Sequence, residues 1–346
     1  MFVSTTHGPS RRDFLAAALG TGLAATGPAR GGCTVPSGRA SRATKALIAI
    51  TLDLEMSRNF PTWDQTHWDY EKGNLDTATK RYALEAGRRV KARGGVIHYF
   101  AVGQVLEQED VGWLKEIVAQ GHPVGNHTYD HVNVKARQRE EIQFRFRRAP
   151  WLIEGKTIPE VIAGNIRLAE LALKERIGIA PAGFRTPGGF NDGLEDRPDL
   201  QAMLQKMGYT WVSSKYPAHP ITGASGKGPD EKVMAGILGA QDQAQPFVYP
   251  SGLVELPMSP ISDVTAFRAG RWSLDAFLTA IRAAVSRAIE HQKVFSLLAH
   301  PSCLGVVDPS YRTIDVIADM IRDAGDRAAI VDLDTIARQT KRGQGH

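Results

Sequence analysis

Ala46-Leu-Ile-Ala-Ile-Thr-Leu-Asp53-Leu54 is the stretch whose reading decides the fold. It is apolar throughout except at Thr51 and Asp53, and Glu55 follows at once. A continuous apolar run bounded by polar residues reads as a strand buried on both faces, the kind found in parallel sheets covered by helices. Successive side chains of a strand alternate sides, so Asp53 and Glu55 share one face while Leu54 points to the other.

Outward from this run, strand-like segments alternate with amphipathic ones. Residues 77–93 read as a helix stopped by Gly94-Gly95, 96–102 as a strand, 111–120 as a helix, 122–126 as a short strand and 140–177 as helical. Further strands are expected at 183–185, 209–213, 253–258, 294–299 and 329–331, with helices at 199–207, 273–291 and 313–323. This alternation argues for an α/β domain with a parallel sheet, and roughly seven or eight β-α units suit a barrel better than an open sheet. Residues 216–232, rich in Gly, Pro and Ser, read as a long loop within the domain.

Composition bounds the class. The chain has 346 residues, 42% hydrophobic and 23% charged, which is globular rather than disordered. Ser10-Arg11-Arg12-Asp13-Phe14-Leu15, followed by an Ala/Gly/Leu-rich run, has the layout of a twin-arginine export signal. Residues 1–32 are therefore expected to be a signal peptide, 33–44 the flexible start of the mature chain, 45–340 the folded domain and 341–346 a polar tail. Within the signal, Gly20-Thr-Gly22-Leu-Ala-Ala25 fits a dinucleotide-binding pattern but follows no strand, and is rejected. Lipid attachment at Cys33 is disfavoured by Arg30. Removing residues 1–32 takes away three arginines and one aspartate, so the formal charge falls from +5 to +3, too mild an excess to indicate nucleic acid. With Cys303 the one cysteine beyond Cys33, no disulfide framework is indicated. No segment is long enough for stable membrane insertion, and oligomeric state has no signature in the sequence.

On this frame the ionisable residues gather at strand ends: Asp53 and Glu55 after the first strand, His127 and His131 after the third, Arg185 at the end of its strand, and His300 after Val294-Phe-Ser-Leu-Leu-Ala299. In α/β folds the C-terminal strand ends build the active site. His127-Thr-Tyr-Asp-His131 can share a metal if the turn is helical, and two His plus a carboxylate form a common catalytic zinc set. Taken singly, each of these residues has an ordinary structural use, as a cap, a surface ion pair or a buried histidine. Cys303, beside His300, reads as a small buried residue. His67, His98 and His122 read as structural.

These residues make the chain resemble the polysaccharide deacetylases, carbohydrate esterase family four with its NodB-homology domain. Thr51-Leu-Asp53-Leu-Glu55 stands in place of the family's T-F-D-D-G, and His127-Thr-Tyr-Asp-His131 matches its H-[ST]-x-x-H. Phe184-Arg185-Thr-Pro187-Gly-Gly189 matches R-x-P-x-G, and Leu297-Leu-Ala-His300 approximates L-x-L-H. The resemblance implies an incomplete (β/α)7-type barrel as a single domain. It implies one divalent metal, zinc ahead of cobalt, nickel or manganese, held by His127, His131 and a carboxylate. It also implies Asp53 as base oriented by Arg185, and His300 as general acid. Two departures stand out. The second acid comes one residue late, so Glu55 is expected as the metal carboxylate, with the choice between Asp53 and Glu55 left open. Val212 stands where the family often has an acid supporting the arginine, and Asp192 is the candidate substitute.

The resemblance implies deacetylation of an acetylated glycan outside the cytoplasm. Hydrolysis of a small cyclic or linear amide, and carbohydrate binding without turnover, are the alternatives. Phe60, Trp63, Trp68 and Tyr70, after the first strand, read either as aromatics that stack on sugar rings or as the packing of a long loop onto the barrel. The export reading has its own test. Replacing Arg11 and Arg12 by Lys leaves the precursor in the cytoplasm on cell fractionation, because the paired guanidinium is what the route reads; normal export of the double variant contradicts it.

Overall fold

A computed structural model describes residues 45–56, 72–220 and 227–343. The signal peptide, Cys33 and the start of the mature chain, the aromatic cluster Phe60 to Tyr70, His67, the middle of the 216–232 loop and the last three residues lie outside the described residues.

The strands are β1 (Ala46–Leu54), β2 (Ile97–Ala101), β3 (Val124–Asn126), β4 (Gly183–Phe190), β5 (Trp211–Lys215), β6 (Phe247–Val248), β7 (Val254–Glu255), β8 (Val294–Ala299) and β9 (Ala328–Ile330). The helices are α1 (Thr77–Ala92), α2 (Gly112–Ala119), α3 (Arg139–Ile142), α4 (Phe144–Arg148), α5 (Ile158–Ile177), α6 (Pro198–Lys206), α7 (Glu231–Gln241), α8 (Leu274–Glu290), α9 (Pro301–Val307), α10 (Arg312–Ala324) and α11 (Leu333–Gly343). The strand order is β6-β7-β5-β4-β3-β2-β1-β8, parallel except for the β6–β7 pair.

β1 is the hub of this sheet. β8 runs along one edge of it from Leu47 to Leu52, while the other edge pairs first with β9 at 46–48 and then with β2 at 50–54. Its even-numbered residues Ile48, Ile50, Leu52 and Leu54 join the large apolar core under the helices, and Ala49 faces the barrel interior with Phe100 and Trp211. The sheet curls until the segment after β7 spans its two ends: Met258 N–H donates to Lys215 O at 2.8 Å and Ser259 N–H to Ser296 O at 2.9 Å. The result is an incomplete (β/α) barrel, a single α/β domain. α11 stops its lower end, where Leu333, Ile336 and Ala337 pack on Ala49 and Trp211, and Trp211 Nε1 donates to Asp334 at 2.7 Å.

Local chemistry sets the helix ends. Asp76 accepts from Thr79 N–H to start α1, Thr157 and Glu160 form a capping box on α5, and Gly178, at φ 74°, ends it. The helical stretch expected over 140–177 is broken, because Gln143 is extended and Pro150 starts a separate 3-10 turn. No helix among the described residues is long and apolar enough to cross a membrane. Ile50 is fully buried between β8 and β2. Ile50→Ala should cost about 2–5 kcal/mol in urea unfolding; a loss below about 1 kcal/mol would contradict the central place given to β1.

Candidate functional site

Strand parity brings the site residues together. Thr51 and Asp53 of β1 point into the barrel, as do His98 and Phe100 of β2 and Arg185 of β4. The lower layer is apolar and the upper layer charged. Arg185 is fully buried, and its NH1 donates to Thr51 Oγ1 at 2.7 Å and to Asp53 Oδ1 at 2.9 Å. NH2 reaches Ser213 Oγ at 3.2 Å, and the guanidinium lies 4.2 Å from the centre of the Phe100 ring. A buried guanidinium has to be paired and hydrogen-bonded to persist. The partner expected at Asp192 is not there, since Asp192 is exposed. Ser213, the residue after Val212, supplies the hydrogen bond instead, and buried Glu255 adds its charge from β7.

His127 and His131 follow β3 in a turn that is not helical, contrary to the geometry expected for sharing a metal. Thr128 and His131 both take left-handed backbone, at φ 58°. Such conformations are held only by strong local bonding. Asn126 Oδ1 accepts from Thr128 N–H, and Asn165 Oδ1 accepts from the N–H groups of Tyr129 and Asp130. His127 Nδ1 stands 3.0 Å from the Arg185 carbonyl, which makes Nδ1 the donor and leaves the Nε2 lone pair facing Asp53 and Glu55.

Glu55 is the centre of the site. Its Oε2 lies 2.5 Å from His131 Nε2, 2.5 Å from Lys72 Nζ and 3.8 Å from His127 Nε2, and its Oε1 lies 3.0 Å from His300 Nε2. Burial alone would raise the Glu55 pKa, but His131 and Lys72 outweigh it and hold the carboxyl well below its ordinary range. Burial pushes His131 down to about 4. For His300 burial also works downward, yet Asp263 and Glu55 win and lift it well above its ordinary value. Asp263, fully buried, accepts from His300 N–H at 2.7 Å and faces His300 Nδ1 at 2.9 Å.

Lys72 and Asp263 are the site residues that sequence reasoning missed. Asp263 is the one charged residue between Glu255 and Arg268, a signal that could have been used; Lys72 has none. His98 and His122 are structural, as expected: His98 lies against Phe100 and Trp211 and is pushed by burial to about 3, and His122 accepts from Ile97 N–H. Cys303 is buried.

Above these groups lies a pocket of about 240 Å³. Its far wall carries the hydroxyls of Tyr216, Ser262 and Thr265, bonded to one another, and the apolar side chains of Met258, Val264 and Leu298. Glu55, His127 and His131 present one donor atom each within 4.8 Å of one another. Two imidazoles and a carboxylate, one imidazole with its tautomer set by a carbonyl, fit a divalent cation.

By fold and site the chain is a (β/α) barrel with a two-histidine, one-carboxylate centre at its strand ends. Residues 88–212, which hold His127, His131 and Arg185, match the family model described as polysaccharide deacetylase. Asp53, Glu55, Asp263 and His300 lie outside the matched stretch. Among solved structures the chain is similar to a polysaccharide deacetylase described as putative, from Mycobacterium smegmatis, at 16% identity, covering 87% of this chain and 92% of that one with a TM-score of 0.58. A protein described as a probable polysaccharide deacetylase from Pseudomonas aeruginosa PAO1 aligns at 14% identity, with 87% and 92% covered and a TM-score of 0.57. Puue allantoinase aligns at 12% identity, with 88% and 93% covered and a TM-score of 0.56. At these identities the likeness is one of fold. No curated protein matches.

The Asp263–His300 pair makes a measurable prediction. A histidine whose folded pKa is raised contributes stability that is fully present below its unfolded pKa, about 6.5, and is lost as pH rises through the folded value. In metal-free protein the His300 ring should titrate above the ordinary histidine value, read by NMR of the imidazole nitrogens. Asp263→Asn should bring that titration to lower pH; an unchanged titration in the variant would mean that Asp263 does not set it.

Proposed function

We propose that this chain is a metal-assisted hydrolase that removes acetyl groups from an N- or O-acetylated polysaccharide, and that it works outside the cytoplasm after twin-arginine export. The observation that carries the reading is the convergence in one pocket of the Glu55–His127–His131 donor set, the Arg185-held Asp53 and the Asp263-held His300. Glu55, His127 and His131 would hold the ion. When bound, a divalent cation polarises the acyl carbonyl and lowers the pKa of water beside it. Asp53 has one oxygen taken by Arg185 and the other facing the pocket, so Oδ2 accepts the proton of the attacking water. His300, whose charged form Asp263 favours, gives its Nε2 proton to the departing amine or alkoxide. The apolar patch of Met258, Val264 and Leu298 offers the acetyl methyl a dry contact.

A second reading, hydrolysis of a small cyclic ureide or formamide, uses the same groups. It is favoured by the modest volume of the pocket, which suits one ring better than several. One panel separates the two. Zinc-loaded protein should release acetate from at least one of chitin, peptidoglycan or acetylated xylan fragments, with kcat falling about 10²- to 10⁴-fold in Asp53→Asn and in His300→Ala. Turnover of ureides or formamides without acetate release moves the assignment to the small amide. Glycan binding with no turnover of any substrate overturns both.

A further inference from the structure

Lys72 enters the metal-ligand cluster from outside every motif. Its side chain is 3% exposed, and Nζ sits 2.5 Å from Glu55 Oε2, the oxygen that also faces His127 and His131, and 3.5 Å from His131 Nε2. The ammonium therefore lies where a cation shared by those three residues would act.

The backbone brings it there. Gly73 N–H donates to the Glu55 carbonyl at 2.8 Å, and the Gly73 and Leu75 carbonyls accept from Gln108 Nε2. Gly73 has φ 84°, and a Cβ at that position would stand 2.2 Å from Gln104 Cβ. Both the left-handed backbone and the close approach require glycine there, so the turn that carries Lys72 back onto Glu55 is built into the chain.

Charge completes the argument. A dication on Glu55, His127 and His131 would meet the ammonium beside the shared Glu55 oxygen, where two positive charges repel. We propose that Lys72 is an internal counter-cation of Glu55 that competes with the metal, so that loading the site displaces its ammonium and Lys72 sets the metal affinity. This rests on the metal reading given above. Were Lys72 instead an orienting partner of Glu55, its loss would weaken metal binding.

The test is zinc binding to the purified mature chain by calorimetry at one fixed pH, wild type against Lys72→Met, which keeps length and removes charge. The variant should bind about 10- to 100-fold tighter, whereas a supporting partner of a metal ligand would lose about that much affinity on removal. Weaker or equal binding overturns the proposal. A second measurement uses the wild type alone and stands even if Lys72→Met fails to fold. Reductive methylation followed by mass spectrometry should label Lys72 faster with zinc than without, and an unchanged or slower rate overturns displacement. If neither protein binds zinc, cobalt, nickel or manganese, the metal reading itself fails and takes the inference with it; metal binding that is indifferent to Lys72 removes the inference alone.

Discussion

The rest of the site depends on one buried charge, the guanidinium of Arg185. Desolvating it is costly, and the cost is met only if several elements stand in fixed places around it. Thr51 and Asp53 come from β1, Ser213 from β5 and the Phe100 ring from β2, while the Arg185 carbonyl receives His127 from the turn after β3. A single residue thus fixes the register of four strands at the barrel mouth. It also fixes the aim of two functional groups, the free oxygen of Asp53 and the Nε2 lone pair of His127. Removing the charge would leave Asp53 buried without its ion pair, so architecture and chemistry are coupled here at one point.

What was legible in the sequence follows from how local each signal is. β1 and β8 agree with their apolar runs residue for residue, since a strand buried on both faces carries few polar positions to blur its limits. The helical material expected over 140–177 is there but in separate pieces, because composition stays helical while Gln143 and Ala149-Pro150 turn the chain. α11 escaped notice because its apolar positions 333, 336 and 337 are few, and only the barrel floor against them makes the helix worth forming.

For the site, the residues with a fixed sequence spacing were visible, and those defined by a partner far along the chain were not. Asp263 meets His300 across 37 residues, and Lys72 meets Glu55 across 17. The support expected for Arg185 was another acid, Asp192, whereas the structure supplies two hydroxyls, Asp53 and the charge of Glu255. A hydroxyl beside an expected acid position is easily passed over, because serine and threonine carry no charge pattern. The His127–His131 turn was legible as a pair but not as a shape. Its left-handed residues are held by Asn126 and by Asn165 of α5, and spacing alone cannot reveal such bonds.

Leu54 and Glu55 are best understood as one change rather than two. In a straight strand an acid at position 54 points away from the barrel, into the helix-facing core that Ile50 and Leu52 occupy. Two adjacent acids can serve one site only where the strand bends out of its alternation. β1 keeps regular pairing with β2 as far as Leu54, so here the acid has to move on by one residue to return to the interior face. Leucine at 54 then completes the core, and glutamate at 55 lies just beyond the last paired residue. Its longer side chain lets both oxygens work, one toward His300 and the other toward His131 and Lys72. The departure from an adjacent acid pair is therefore what the regularity of β1 demands, and it keeps two carboxylates at the mouth of the barrel.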